Sequence, residues 1–314
     1  MGKRIVIALG GNALEKKSMP PTAESQLEIV RGTVAYIADV IGEGYEVIIA
    51  HGNGPQVGRI LLSSESAASV TPAMPFDVCG AMSQGYIGYH LQQSLQAELS
   101  RRGVKKPVVT VVTQVVVDKN DPGFTNPTKP IGPFYSKEEG DALAKEKGYI
   151  MKEDSGRGYR RVVASPLPVR IKELEAIETL VKSGAVVISC GGGGIPVVEE
   201  NGEANGVPAV IDKDFASEKL AEELDADMLV ILTEVSRACI NFNKPDEKRL
   251  GECSVDEMKK YMDEGHFAPG SMLPKVKAAV LFADSKPGRL AIISSLDYAK
   301  AAVMGNEGTR IKKG

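Results

Sequence analysis

Short apolar runs recur along the chain, separated by stretches with helical spacing. The runs at Arg4–Leu9, 46–50, 108–113, 185–190, Met228–Thr233 and 290–294 are almost continuously apolar and rich in Val and Ile, as strands covered on both faces should be. Between the first two, Leu27, Val30, Val34, Ile37 and Ile41 are spaced 3, 4, 3 and 4 residues apart. That spacing puts them on one face of a helix over 23–41, which Gly42 and Gly44 are expected to stop. Residues 172–183 repeat the design, with Gly184 as the stop. Strands alternating with helices predict βαβ units and a mainly parallel sheet.

Residues 118–168 break this rhythm. They hold Pro122, Pro127, Pro130, Pro133, Pro166 and Pro168, several glycines and a charged segment over 136–147. The segment is expected to form a small excursion with its own helix and hairpin. Long insertions into compact domains are often functional, which favours a lid over a passive surface loop.

Composition narrows the function classes without choosing one. The 314 residues are 43% hydrophobic and 25% charged, with a formal net charge of −3, ordinary for a globular enzyme. No basic excess favours nucleic acid or a membrane surface. The apolar start at Ile5–Leu9 runs into Gly10-Gly11 too soon for a signal peptide, and no apolar stretch approaches the ~20 residues of a membrane span. Cys79, Cys190, Cys239 and Cys253 show no CxxC spacing and are expected to be reduced thiols in a cytoplasmic protein, neither disulfides nor zinc ligands.

Three of the strand candidates end in glycine clusters: Gly10-Gly11-Asn12, His51-Gly52-Asn53-Gly54-Pro55 and Gly191-Gly192-Gly193-Gly194. In an open parallel sheet such loops gather at the carboxyl ends of the strands, where ligands bind. Glycine lets backbone N–H groups approach an anion, and a following helix adds its positive end. The three loops are therefore a candidate cradle for phosphate and a small carboxylate. Neither GxxxxGK[ST] nor GxGxxG is present, which excludes the P-loop and leaves a dinucleotide fold little support.

Charged residues also stand in unusual places along the chain. Lys275 follows Pro269-Gly270-Ser271-Met272-Leu273-Pro274, a turn, an N-cap at Ser271 and a proline tolerated in the first helical turn. A cation at the positive end of a helix is disfavoured by ~0.3–1 kcal/mol unless an anion joins it. Lys213 sits between Asp212 and Asp214 at the start of a predicted helix over 215–224, with Asp214 either an N-cap or a partner for lysines or hydrated Mg²⁺. Lys129 is stiffened by Pro127 and Pro130, and a closing lid would carry it to a transferred phosphoryl group. The histidines are His51, His90 and His266, and none makes an evident nucleophile–base pair. Phosphoryl transfer to an acceptor that is already anionic needs alignment and charge stabilisation more than a strong base.

Long collinear motifs carry a family resemblance. Ala8-Leu9-Gly10-Gly11-Asn12-Ala13, the stretch 50–58 (AHGNGPQVG), 126–133 (NPTKPIGP), 189–196 (SCGGGGIP), 212–220 (DKDFASEKL) and 265–275 (GHFAPGSMLPK) together resemble the carbamate kinases of the amino acid kinase superfamily. The resemblance implies one domain over 1–314, an open, mainly parallel αβα sandwich. It implies an acceptor lobe over 1–117 and 169–207, a protruding lid subdomain over 118–168 and a nucleotide-binding lobe over 208–314. It implies reversible transfer between ATP and carbamate, giving ADP and carbamoyl phosphate, usually in the ATP-forming direction at the end of arginine breakdown by the arginine deiminase route. Mg²⁺ would be held mainly through the nucleotide phosphates, and the molecule would be a homodimer. By similarity Gly10, Gly11, Asn12, Gly52, Asn53 and Gly54 would surround the acceptor. Lys129, Lys213 and Lys275 would stabilise transition-state charge, Asp214 would organise the lysines, and Leu232, Thr233 and Met272 would flank the nucleotide beside Lys213 and Lys275. Relatives such as acetylglutamate kinase carry a lysine two residues before the Gly-Gly pair. Ala8 stands there in this chain, which disfavours the larger amino-acid acceptors and suits a site where Lys213 or Lys129 supplies the charge.

Overall fold

The computed structural model describes residues 2–16, 18–154 and 156–314. An eight-stranded sheet crosses the molecule in the order Glu252–Ser254, Thr309–Lys312, Leu290–Ser295, Met228–Thr233, Arg4–Leu9, Glu46–His51, Val186–Ile188 and Val108–Thr110. Every pairing is parallel except that of Leu290–Ser295 with Thr309–Lys312. Helices cover both faces, so the central strands bury side chains on both sides. From the first two strands Val6, Ala8, Ile48 and Ala50 face one core, with Ile177, Leu220, Ala279 and Phe282. Ile5, Ile7, Leu9, Val47 and Ile49 face the other, with Val30, Val34, Ile37, Leu91 and Leu95. A side-chain period of two with apolar contacts on either face explains the unbroken hydrophobic runs.

The helices are α1 (Ala23–Gly42), α2 (Gly54–Ser66), α3 (Phe76–Arg101), α4 (Lys137–Lys147), α5 (Leu174–Lys182), α6 (Lys213–Glu223), α7 (Val255–Asp263) and α8 (Met272–Ser285), with a short α9 (Ala299–Val303) near the end. Thr22 caps α1 by accepting from Ser25 N. Gly42 is still helical, and it is Gly44, at φ +87°, that takes the left-handed turn. The apolar run expected over 108–113 divides. Its first part, Val108–Thr110, is an edge strand of the large sheet, and the chain then re-enters a second sheet at Gln114–Val117 beside Pro168–Ile171 and Ile195–Glu200. At the break the Gln84 side-chain amide accepts from Thr113 N at 2.8 Å and donates to Thr113 O at 3.0 Å, an oxygen that also accepts from Ile195 N of the second sheet at 2.9 Å. Two more glutamines of α3 cover the same edge: Gln92 accepts from Thr110 N and Gln96 from Val108 N.

The excursion contains the expected helix and a little more than a hairpin. Strands Lys129–Tyr135, Tyr159–Val163 and Ile150–Glu153 form an antiparallel sheet. Ser136 and Glu139 close a capping box on α4, and Gly148, at φ +67°, ends it. Its contact with α2 is backbone to backbone, since a Cβ on Gly58 would lie 2.1 Å from Gly132 Cα. Glu65 on α2 adds a polar tie, accepting from Lys147 and Arg161 at 3.3 and 3.4 Å and from the Tyr149 hydroxyl.

Candidate active site

The first two glycine loops lie at adjacent carboxyl ends of the central strands. Gly10 N donates to Leu232 O at 3.1 Å and Gly52 N donates to Leu9 O at 3.2 Å, so the two turns and the end of Met228–Thr233 are stitched together. Gly11 and Asn12 are exposed, while Gly52 and Gly54 are half-buried. A side chain on Gly10 would meet Leu232 O at 2.9 Å. Asn53 is buried, donating from Nδ2 to Ser83 Oγ at 2.7 Å.

The third loop is a packing element. Residues 191–197 are buried. Gly192, at φ +67°, has its α-carbon against the Asn53 amide, where a Cβ would come within 2.1 Å of Nδ2. A Cβ on Gly193 would come within 2.1 Å of Ile211 O. These glycines let the loop support Asn53 and the segment leading into α6, so of the three clusters expected to cradle an anion only two are open to one. His51 belongs to the same packing. Its imidazole is 1% exposed, and Nδ1 donates to Gly52 O at 2.9 Å. Burial, with the Lys213 charge adding to it, pushes its pKa down to about 4. A neutral imidazole with one nitrogen committed to a carbonyl holds the loop in place.

The charged candidates meet beside the open loops. Asp212 is the N-cap of α6, accepting from Asp214 N at 2.9 Å. This corrects the expected start of that helix by two residues and removes Asp214 from the capping role. Asp214 lies in the first turn, 2% exposed, with each oxygen taken by a lysine: Lys213 Nζ at 2.5 Å from Oδ1 and Lys275 Nζ at 3.1 Å from Oδ2. The Lys213 stem crosses the second loop so closely that a Cβ on Gly52 would sit 3.3 Å from its Cδ. Lys275 also donates to Ser271 O at 3.1 Å. Ser271 is the N-cap of α8 by position but makes no side-chain cap bond. Met272 opens α8, and Leu232 and Thr233 end their strand next to Gly10. Lys129, at the start of its strand in the excursion, reaches back to Asp212 Oδ2 at 2.5 Å. Lys129, Lys213, Asp214 and Lys275 are thus joined to one another through two aspartates on α6.

Burial lowers the pKa of Lys213; the Asp214 carboxylate opposes this and the Lys275 charge reinforces it. Burial works against ionised Asp212, but the Lys129 ammonium and the Asp214 N–H outweigh it and hold that carboxyl well below the usual range. Such a cluster has excess positive charge, exposed backbone turns and the positive ends of α2, α6 and α8 nearby. It is built to receive an anion.

The model of the amino acid kinase family matches residues 3–294. The chain belongs to the amino acid kinase family. Among its relatives, the carbamate kinase of Clostridium perfringens is 63% identical over 313 residues, covering 99% of this chain and 100% of that one. The carbamate kinase of Thermococcus kodakarensis is 56% identical over 312 residues, covering 98% and 99%. The structure of a Giardia lamblia carbamate kinase bound to AMP-PNP superposes with a TM-score of 0.92 at 46% identity, over 100% of this chain and 99% of the other. Membership makes the chain a kinase, a phosphotransferase, with the αβα architecture of that family.

In this amino acid kinase Asp212, which caps α6 and holds Lys129, is a site residue that was not among those expected from the sequence. The available signal was an Asp directly after the apolar Val210-Ile211, the pattern of an N-cap, but the cap expected from the sequence was Asp214, two residues too late. Farther along α6, Glu218 is 5% exposed and takes no part in the cluster. Burial pushes its pKa up to about 7, against the pull of Lys219. Below the ordinary carboxyl pKa it is protonated folded or unfolded. As pH rises toward 7 the unfolded chain releases the proton first, so stability falls, and the full penalty is present above 7. Glu218→Gln is therefore expected to stabilise the protein at pH 8, by up to about 3 kcal/mol, with little gain near pH 4.5. Chemical denaturation at the two pH values tests this, and an equal gain at both would contradict it.

Proposed function

We propose that this kinase transfers a phosphoryl group between ATP and carbamate. The observation that carries this is the convergence of Lys213 and Lys275 on Asp214, with the Lys213 stem lying across the Gly52 turn. In the ATP-forming direction the bond between phosphorus and the carbamoyl oxygen breaks, and a bond to a terminal phosphate oxygen of ADP forms. Carbamate leaves as an anion, so no general base is required, which agrees with a neutral, committed His51. The amides of Gly11, Asn12, Asn53 and Gly54 would hold the acceptor, while Gly10 and Gly52, whose N–H groups are tied to Leu232 O and Leu9 O, would shape the turns around it. Lys213, Lys275 and Lys129 would offset charge on the phosphoryl oxygens, and Asp214 would hold two of those lysines in register. Leu232, Thr233 and Met272 would flank the nucleotide.

Mg²⁺ bound with the nucleotide would neutralise phosphate charge. Both oxygens of Asp214 are engaged by lysines, and among the described residues no group of three His, Cys, Asp or Glu could hold a metal ion. The nucleotide phosphates therefore suit the ion better than a protein cage. In this proposal 1–117 and 169–207 form the acceptor lobe, 118–168 the lid and 208–314 the nucleotide lobe. The family resemblance supports a cytoplasmic homodimer forming ATP at the end of arginine breakdown; no helix among the described residues is long and apolar enough to cross a membrane.

Purified protein given ADP, Mg²⁺ and carbamoyl phosphate is expected to form ATP, read by luciferase. With ATP as donor, carbamate should far outpace N-acetylglutamate and aspartate. Absence of ATP formation, or preference for either larger acid, would overturn the assignment.

A further inference from the structure

The excursion and the start of α6 are fastened together at their roots. Thr128 N donates to Val163 O at 3.2 Å, and Val210 N donates to Ala164 O at 2.9 Å, so the chain that ends the small sheet is tied to the chain leading into Asp212. On that footing the Asp212 carboxylate divides its two oxygens. Oδ1 accepts from Asp214 N and so fixes the first turn of α6, which presents Lys213 and Asp214. Oδ2 accepts from Lys129 Nζ at 2.5 Å, with the two side chains only 26% and 18% exposed. Lys129 stands on the small sheet and Lys213 on α6, so the Asp212 side chain is a direct side-chain link between the elements that carry the two ammonium groups.

We propose that Asp212 is a positioning residue for phosphoryl transfer, holding Lys129 of the excursion in register with Lys213 and Lys275 by capping α6 with one oxygen and gripping Lys129 with the other. The proposal rests on the kinase function proposed above, with Lys129 among the groups that meet the phosphoryl oxygens. Without an anion in the site, Asp212 is the counter-charge that keeps Lys129 there. With one present, Lys129 needs only a small shift to reach it, because the ordering has already been done.

Asp212→Asn separates the two roles. Asn caps a helix about as well as Asp but carries no charge, and with its one oxygen on the cap it turns an NH₂ donor toward the ammonium. In a double-mutant cycle with Lys129→Ala, Asp212→Asn alone is expected to lower kcat about ten- to a hundredfold, as a displaced reacting group does. In the Lys129→Ala background it should change kcat by less than about twofold, since its partner is gone. The KM for ADP should move little in either case. Equal losses in both backgrounds would show a merely structural role and overturn the proposal. A second readout needs no turnover. In ligand-free protein carrying ¹⁵Nζ-lysine, one ammonium signal protected from solvent exchange should vanish in Lys129→Arg and also in Asp212→Asn. Its persistence in Asp212→Asn would overturn the proposal. If the signal behaves as expected while the wild-type protein forms no ATP, the proposed function fails and the hold of Asp212 on Lys129 stands.

Discussion

Lys213→Ala is expected to lower kcat for ADP phosphorylation by carbamoyl phosphate at least ~10²-fold, the scale of losing one preorganised charge donor. The size of the effect follows from where the ammonium is held. Its stem lies against the Gly52 turn, its Nζ is fixed by Asp214 at 2.5 Å, and its side chain is 11% exposed. A cation so placed acts where water is scarce, so no solvent molecule substitutes for it at equal strength. The variant also leaves Asp214 paired with Lys275 alone, so affinity for the nucleotide should fall less than turnover. Stopped-flow or steady-state kinetics with luciferase detection would check this. Turnover within a few-fold of wild type would mean that the transferred group lies elsewhere.

Asp214→Asn is expected to have the next largest effect, visible in the shape of the pH profile as well as in the rate. The substitution leaves Lys213 and Lys275 facing each other with no carboxylate between them, in a place where burial already lowers the Lys213 pKa. Losing the one neighbour that most strongly favours its charged form must lower it further. The ammonium is then lost at lower pH, and the alkaline limb of the kcat/KM profile should move toward neutrality. Breaking a buried pair while leaving its cations in place costs about 3 kcal/mol or more, so the melting temperature should drop as well. Saturating nucleotide should restore part of it, because bound phosphates replace the missing counter-charge. A profile that falls in amplitude and keeps its alkaline limb would show that Asp214 does not govern the charge of Lys213.

The central strands were legible because each is a short, β-branched run, apolar on both sides, as a strand covered on both faces should be. The glycine turns were legible for a related reason: they stand where those strands must end. What the pattern hid is instructive. Helix α3 escaped notice because Gln84, Gln92 and Gln96, which look like surface residues, spend their amides on strand backbone. The loop 191–194 looked like an anion cradle because glycine is required equally for close packing, and only the positions of Asn53 and Ile211 distinguish the two uses. Lys129 and Lys275 could be suspected from local oddity, a lysine between prolines and a lysine early in a helix. Their partners could not: Asp212 is 83 residues from the first and Asp214 is 61 from the second. Pairings across such separations are made by the fold, and no local spacing announces them.

The three amides along α3 also bear on how two copies of this chain could meet. Strand Val108–Thr110 is the last rung of the large sheet on that side, and its free N–H groups at 108 and 110 are already occupied from within. A second molecule therefore finds no N–H donor at these two positions with which to continue the sheet, which weakens that edge as a template. Self-association at that flank is thereby turned toward helix surfaces, with the two sheets left separate.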